Sequence, residues 1–173
     1  TEYYTLNTFS GSFGYLWKEN VRKEHDLKII DITYITPANV TPLYDSISAK
    51  SQALQRVVQK QLIFGPTYSY TYTNTMLPKK NTIYYKGTLD LAGNLTGLFS
   101  GANVKDGKQK SIFGVPFSQY AKMEHDFRFY HKLGDKSSFA SRFIGGIAYP
   151  YGNSDNIPFS KQFFSGGSNS NEN

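Results

Sequence analysis

The residues that could do chemistry in this 173-residue chain are three histidines and a series of charged side chains that alternate with apolar ones. His125 and His131 lie in one strand-like segment with an even spacing, which places both on its apolar side, whereas His25 lies in a charged turn. A zinc site would need a third ligand from elsewhere in the chain. The histidines are therefore interpreted as membrane-interface or protein-contact residues, and no metal site is predicted.

The charged residues make a weak catalytic set, because no nucleophile and base are paired by a recognisable motif. The sequence has no Gly-x-Ser-x-Gly turn, no phosphate-binding glycine loop and no helical His-Glu motif. The same charges suit the lining of a polar lumen, since a charge on the lipid side of a membrane barrel costs about 2–4 kcal/mol near the midplane. We predict no enzyme activity and no cofactor, and we assign these residues to a lumen: Lys86, Asp90, Lys122, Glu124, Asp126, Arg128 and Arg142.

The overall composition excludes several other classes of protein. The net charge is +6, but the basic residues are dispersed, and the local cluster from Lys105 to Lys110 is typical of a solvated loop, so no nucleic-acid partner is predicted. The absence of cysteine excludes disulfides and thiolate metal sites. No apolar run reaches the roughly 18 residues that a membrane-spanning helix needs. The N-terminus shows no signal-peptide pattern.

Period-two alternation predicts an all-β protein with six antiparallel strands. In the clearest segment, Leu62, Phe64 and three tyrosines lie on one face and mainly Thr, Ser and Gly on the other. Several segments exceed ordinary globular strands and match the roughly 9–11 residues of a tilted membrane-spanning strand, and aromatic residues gather near their ends. The predicted strands are 3–17, 28–36, 62–73, 83–95, 120–133 and 138–149.

The connections between these strands alternate in length, which favours a transmembrane β-barrel in the bacterial outer membrane. Long connections at 37–61 and 96–119 fall on one side, and a tight turn at Gly134-Asp135-Lys136 falls on the other, as expected for extracellular loops and periplasmic turns. A polar connection from Lys18 to Asp26 is predicted between the first two strands. A short helix from Asp45 to Lys60, capped by Asp45 or Ser46, is predicted in the first long loop.

Six strands would leave two unpaired edges, which hydrocarbon does not tolerate, and known barrels of this type have at least about 8 strands. The whole of residues 1–173 is therefore predicted to be part of one larger outer-membrane β-barrel domain, and this segment alone is expected to aggregate or to need refolding partners.

The final segment, from Ile157-Pro158-Phe159 through Phe163-Phe164-Ser165 to Gly166-Gly167-Ser168-Asn169-Ser170, resembles the start of the inward-folded sixth loop of the BamA/TamA-like bacterial surface-antigen barrels. Gln61–Tyr72 and Leu89–Leu95 resemble the Bacteroidetes TamL-like branch of that family. The resemblance covers most of the chain. It implies that residues 157–173 are the first part of an inward-folded loop. The loop motif within them is Gly166, Gly167, Ser168, Asn169 and Ser170.

The resemblance also implies a function and a set of partners. The family inserts other outer-membrane proteins or moves them across the membrane without ATP or a cofactor, and its barrels have about sixteen strands. This chain would then supply about strands six to eleven. Its partners would be outer-membrane lipid and lipopolysaccharide, the rest of its own barrel and periplasmic domains, nascent outer-membrane client proteins and accessory subunits.

One position departs from the family pattern, in which Gly-Gly-Ser-Asn-Ser-x-Arg is expected. Glu172 occupies the place of the arginine, so either this member lacks that residue or Asn171-Glu172-Asn173 interrupts the native loop sequence; the reversal of charge favours the second.

Three other hypotheses stay open. They are a passive or substrate-specific outer-membrane pore or transporter, a soluble ligand-binding β-barrel with its apolar face inside, and, more weakly supported, an outer-membrane protease or lipase.

Overall fold

The structure is a computed structural model that describes residues 4–49, 55 and 59–163. It contains one antiparallel sheet of six strands, in which each strand pairs with the next strand of the sheet along the chain. The predicted antiparallel all-β architecture with six strands is confirmed. The strands are β1 (Thr5–Asn20), β2 (Lys23–Ala38), β3 (Gln61–Thr73), β4 (Asn81–Ala92), β7 (Tyr120–Gly134) and β8 (Ser137–Pro150).

The first two strands are longer than predicted, and the predicted polar connection from Lys18 to Asp26 is wrong. β1 continues to Asn20 and β2 begins at Lys23, so only Val21 and Arg22 form the turn. The charged residues of this stretch belong to the ladder, in which Lys18 lies opposite Glu24 and Trp17 opposite His25. Charge alone suggested a loop here, but a strand with one wet face accepts charges at every second residue.

The fourth strand ends at Ala92, so its predicted extension to 95 is wrong. Gly93 has a φ of 65°, and a β-carbon there would lie 2.3 Å from the backbone oxygen of Ser118. Only glycine fits this turn, which redirects the chain into helix α2 (Asn94–Ser100). Leu95, predicted on the apolar face of the strand, instead lies on this helix and is 67% exposed.

The long loops hold the remaining regular elements. Helix α1 spans Pro42–Ser48 and begins three residues before the predicted start. The backbone N–H of Tyr44 donates to Thr41 Oγ1 at 3.3 Å, so Thr41 caps this helix instead of Asp45 or Ser46. Half of the predicted helix from 45 to 60, residues 50–54 and 56–58, lies outside the described residues. The second long loop contains α2 and a small hairpin of β5 (Ser111–Ile112) and β6 (Val115–Pro116).

The connections fall into two classes at opposite ends of the sheet. Short turns at 21–22, 74–80 and 135–136 lie at one end, and long loops at 39–60 and 93–119 lie at the other, together with the segment that follows β8. No helix among the described residues is both long enough and apolar enough to cross a membrane. The loop end is where buried side chains gather, notably Phe117 and Tyr120.

Candidate functional site

The register of the sheet separates its side chains into two faces. Residues directly opposite each other in an antiparallel pair lie on the same face. Lys86 lies opposite Asp126, Asp90 opposite Lys122, and Arg128 opposite Arg142. All seven residues predicted to face a lumen therefore share one face, here called the polar face; that it lines a barrel lumen stays a prediction. Further charged residues of this face, which the sequence analysis did not include, are Lys18, Glu24, Asp26, Lys28, Asp31 and Lys132.

The opposite face, here called the apolar face, is rich in exposed aromatic and aliphatic side chains. Phe9, Phe143 and Ile147 are 71%, 68% and 70% exposed. In the six described strands its only charged residues are Glu19 and Lys23, which pair at 3.2 Å beside the β1–β2 turn. A water-facing sheet would normally carry charges on its exposed side. This distribution is typical of a sheet whose outer surface contacts hydrocarbon.

The histidines lie on the apolar face and bind neighbouring side chains. His25 stacks on Trp17 with the ring centroids 4.8 Å apart, and its Nδ1 lies 2.7 Å from the hydroxyl of Tyr68. His125 Nδ1 lies 2.8 Å from the hydroxyl of Tyr85. In both residues Nδ1 thus lies within hydrogen-bond distance of a tyrosine hydroxyl, and His25 Nε2 also lies 3.0 Å from Glu19 Oε1. Within residues 4–49, 55 and 59–163, no group of three or more His, Cys, Asp or Glu side chains could hold a metal ion.

In the middle of the polar face, one carboxylate binds two guanidinium groups. Arg128 donates from Nε and Nη2 to Asp126 at 3.1 and 2.7 Å, and Arg142 does the same at 3.1 and 2.8 Å. The Arg128 guanidinium also lies 4.8 Å from the ring centroid of Tyr84. Bidentate pairs of this kind fix both geometry and charge. Lys86, Arg128, Asp126 and Arg142 are called the cationic cluster below.

Nearer the loops, Asp90 is the centre of a second polar group. It accepts hydrogen bonds from the hydroxyls of Tyr120 at 3.1 Å and Thr67 at 3.4 Å, and pairs with Lys161 at 3.4 Å. Lys122 binds Glu124 at 3.3 Å. Apart from Tyr120, these residues line a concave pocket of about 310 Å³ together with Asp26, Lys28, Asp31, Ser69, Lys86 and Thr88.

The segment after β8 folds back across the polar face, so that Lys161 reaches Asp90. Phe163 lies over Gly146, where a β-carbon would be 2.5 Å from its ring, and the ammonium of Lys122 lies 4.4 Å from the ring centroid. Ile157 packs against the buried cluster of Ile63, Ala92 and Tyr120. Residues 157–163 thus lie against the polar face and are called the inward segment below. The motif residues Gly166, Gly167, Ser168, Asn169 and Ser170 lie outside the described residues.

Two amides join the long loops, and the sequence analysis missed both. Asn153 is 1% exposed; it accepts from the backbone N–H of Lys110 and donates to the carbonyls of Lys110 and Phe117. Gln119 Oε1 accepts from the backbone N–H of Asn153 at 2.9 Å. The nearby hydroxyl of Tyr151 donates to Asn94, and burial raises the pKa of Tyr151. These contacts hold the loop 93–119 against the segment that leaves β8.

Comparison with known proteins gives one match. The family model described as the Omp85 superfamily domain matches residues 3–171, which is nearly the whole chain. No curated protein and no solved structure matches the sequence.

Proposed function

The chain belongs to the Omp85 superfamily, and on that premise we propose that it forms part of the wall of an outer-membrane barrel that inserts or translocates proteins. Members of this superfamily are non-enzymatic proteins of the bacterial outer membrane that insert or transport other proteins. We propose further that this chain belongs to the TamL-like branch and acts without a cofactor.

The observation that carries this proposal is the segregation of charge between the two faces of the sheet. The polar face holds ion pairs along the middle of its strands, such as that of Asp126 with Arg142, whereas the charges of the apolar face stay beside one short turn. In a membrane the reverse arrangement would be costly, at about 2–4 kcal/mol for each basic residue near the midplane. The apolar face therefore suits lipid, and the polar face suits a water-filled interior.

The edges of the sheet support a larger barrel. Within the part of the chain that the structure describes, β1 and β8 each pair with one neighbour in the sheet. Hydrocarbon offers no hydrogen-bond partner to the free edge of such a strand, so a membrane sheet must continue until it closes. We propose closure by further strands to a total of about sixteen, of which these six are about strands six to eleven.

Within such a barrel, the described residues would have two tasks. The polar face would keep the interior wet and charged, so that a polypeptide can occupy it without burying its backbone in lipid. Asp90 and Gly146 would hold the inward segment against the wall through its residues Lys161 and Phe163. The geometry thereby supports a structured interior, partly filled by the chain itself.

A passive or substrate-specific pore is the second candidate function. The concave pocket of about 310 Å³ on the polar face favours it, because a polar interior also conducts ions and small solutes. The inward segment argues for the first function, since it crosses this face and occupies part of it.

The test is catalysed folding of a client protein. The full-length protein would be reconstituted into liposomes, and an unfolded outer-membrane protein would be added; we expect its folding to be faster than in liposomes that hold an unrelated barrel of similar size. Depletion of the protein in cells should lower the levels of other outer-membrane proteins. Unchanged folding and unchanged levels, together with steady conductance in planar bilayers, would refute insertion and support the pore.

A further inference from the structure

We propose that the cationic cluster on the polar face is a binding site for acidic segments of polypeptide. This inference rests on the proposed function, because it names the kind of client sequence that the barrel interior would hold. The cluster lies in the middle of β4, β7 and β8, on the face opposite the exposed aromatic residues.

The charges of the cluster do not balance. Asp126 is the only acidic residue that pairs with Arg128 or Arg142 among the described residues. Lys86 lies directly opposite Asp126 in the ladder and has no ion-pair partner within the same part of the chain. Three cations thus surround one carboxylate. Lys18, the other basic side chain on this row, already binds Glu24 at 3.2 Å and contributes little.

The excess charge is accessible and held in place. The side chains of Arg142 and Arg128 are 47% and 35% exposed, whereas that of Asp126 is 18% exposed, so the guanidinium groups face the interior while the carboxylate lies between them. Tyr84 supports Arg128 from one side. Each arginine binds Asp126 through Nε and Nη2, and Arg128 also makes a side-chain hydrogen bond with Tyr130, so Arg142 is the arginine that offers its Nη1 to an added anion. Arginines fixed in this way bind carboxylates with little loss of conformational entropy.

The ligand that these observations favour is a peptide with closely spaced Asp or Glu residues. Lipid phosphate is a weaker candidate, because the cluster lies on the opposite face from the surface that suits lipid. Neighbouring residues of one polypeptide could reach the cluster together, since Cα atoms two residues apart in a strand are about 6–7 Å apart. Such a segment could bind to Lys86 and Arg142 at the same time.

The experiment uses the full-length protein in neutral detergent and two extended peptides with a neutral dye. One peptide alternates Glu with Ser, and the matched control peptide alternates Gln with Ser. Fluorescence anisotropy should show tighter binding of the acidic peptide, and this difference should fall as salt increases. Arg142→Gln and Lys86→Gln should each weaken acidic-peptide binding by about threefold to tenfold. Lys136→Gln, in the exposed turn at 135–136, removes the same charge and should have no effect.

A substitution of opposite sign makes the test sharper. Asp126→Asn removes the internal carboxylate that competes for both arginines, and should strengthen acidic-peptide binding by a similar factor. Equal binding of the two peptides, or equal affinities for all four variants, would overturn the inference. The client-folding assay tests the proposed function separately. If the protein bound the acidic peptide but did not speed client folding, the proposed function alone would be refuted.

Discussion

The assignment of the two faces can be tested by placing the same charge on adjacent residues of β8. Phe143 lies on the apolar face and Ile144 on the polar face, both near the middle of the strand, and they are 68% and 53% exposed. Phe143→Arg would place a guanidinium in hydrocarbon, at a cost of about 2–4 kcal/mol, which is a factor of roughly 30 to 900 in the folding equilibrium. Ile144→Arg would place it opposite Asp126, among water and charges, with a cost below about 1 kcal/mol.

The assay is reversible unfolding of the full-length protein in lipid bilayers, followed by the shift in electrophoretic mobility between folded and unfolded barrels. Phe143→Ala serves as the control for loss of the aromatic ring, so the difference between Phe143→Arg and Phe143→Ala reports the charge alone. We expect a large difference for that pair and a small effect of Ile144→Arg. A destabilising Ile144→Arg together with a neutral Phe143→Arg would show that the faces are reversed, and the barrel interpretation would be wrong.

Three further substitutions test the contacts of the inward segment and the loops. Asp90→Asn removes the ion pair with Lys161, and should speed tryptic cleavage after Lys161 by about tenfold, as expected for a loss of about 1.4 kcal/mol. Gly146→Val would displace Phe163, because a β-carbon there would lie 2.5 Å from its ring; it should also speed cleavage after Lys161, and unchanged cleavage would contradict the packing. Asn153→Ala should destabilise the loop 93–119 by about 2–4 kcal/mol, measured as faster amide hydrogen exchange, because it leaves buried backbone groups of Lys110 and Phe117 without partners.

β7 and β8 were predictable because apolar residues alternate in them with positions that are mostly charged or small. Both strands were therefore predicted to within one residue at each end. β2 was harder to place, because its ladder is irregular between Lys28 and Asp31, where two residues oppose one on β3. This bulge shifts the alternation, so the periodicity of the first half of the strand could not be matched to the second half.

The contacts between distant segments could not be predicted from the sequence. Asn153 and Gln119 are separated by more than thirty residues and are joined only because the loops meet at one end of the sheet. A single asparagine or glutamine in a polar loop carries no signal of burial, since such residues are ordinarily exposed. Lys161 was missed for a similar reason, because its partner Asp90 lies on β4, about seventy residues earlier in the chain, and only the fold brings them together.

The two polar groups of the interior differ in how their charges are balanced. Around Asp90 the strands supply the four acids Asp26, Asp31, Asp90 and Glu124 but only three bases, Lys28, Lys86 and Lys122, and the inward segment adds Lys161 as the fourth. Around Asp126 the imbalance has the opposite sign, and no other described acid pairs with Arg128 or Arg142. Both groups lie on the polar face. The inward segment balances the charge around Asp90, whereas the excess positive charge around Asp126 has no further partner among the described residues. A bound acidic peptide would supply the negative charge that is lacking around Arg128 and Arg142, as Lys161 supplies the positive charge that is lacking around Asp90. This charge balance is the physical reason to expect a site there.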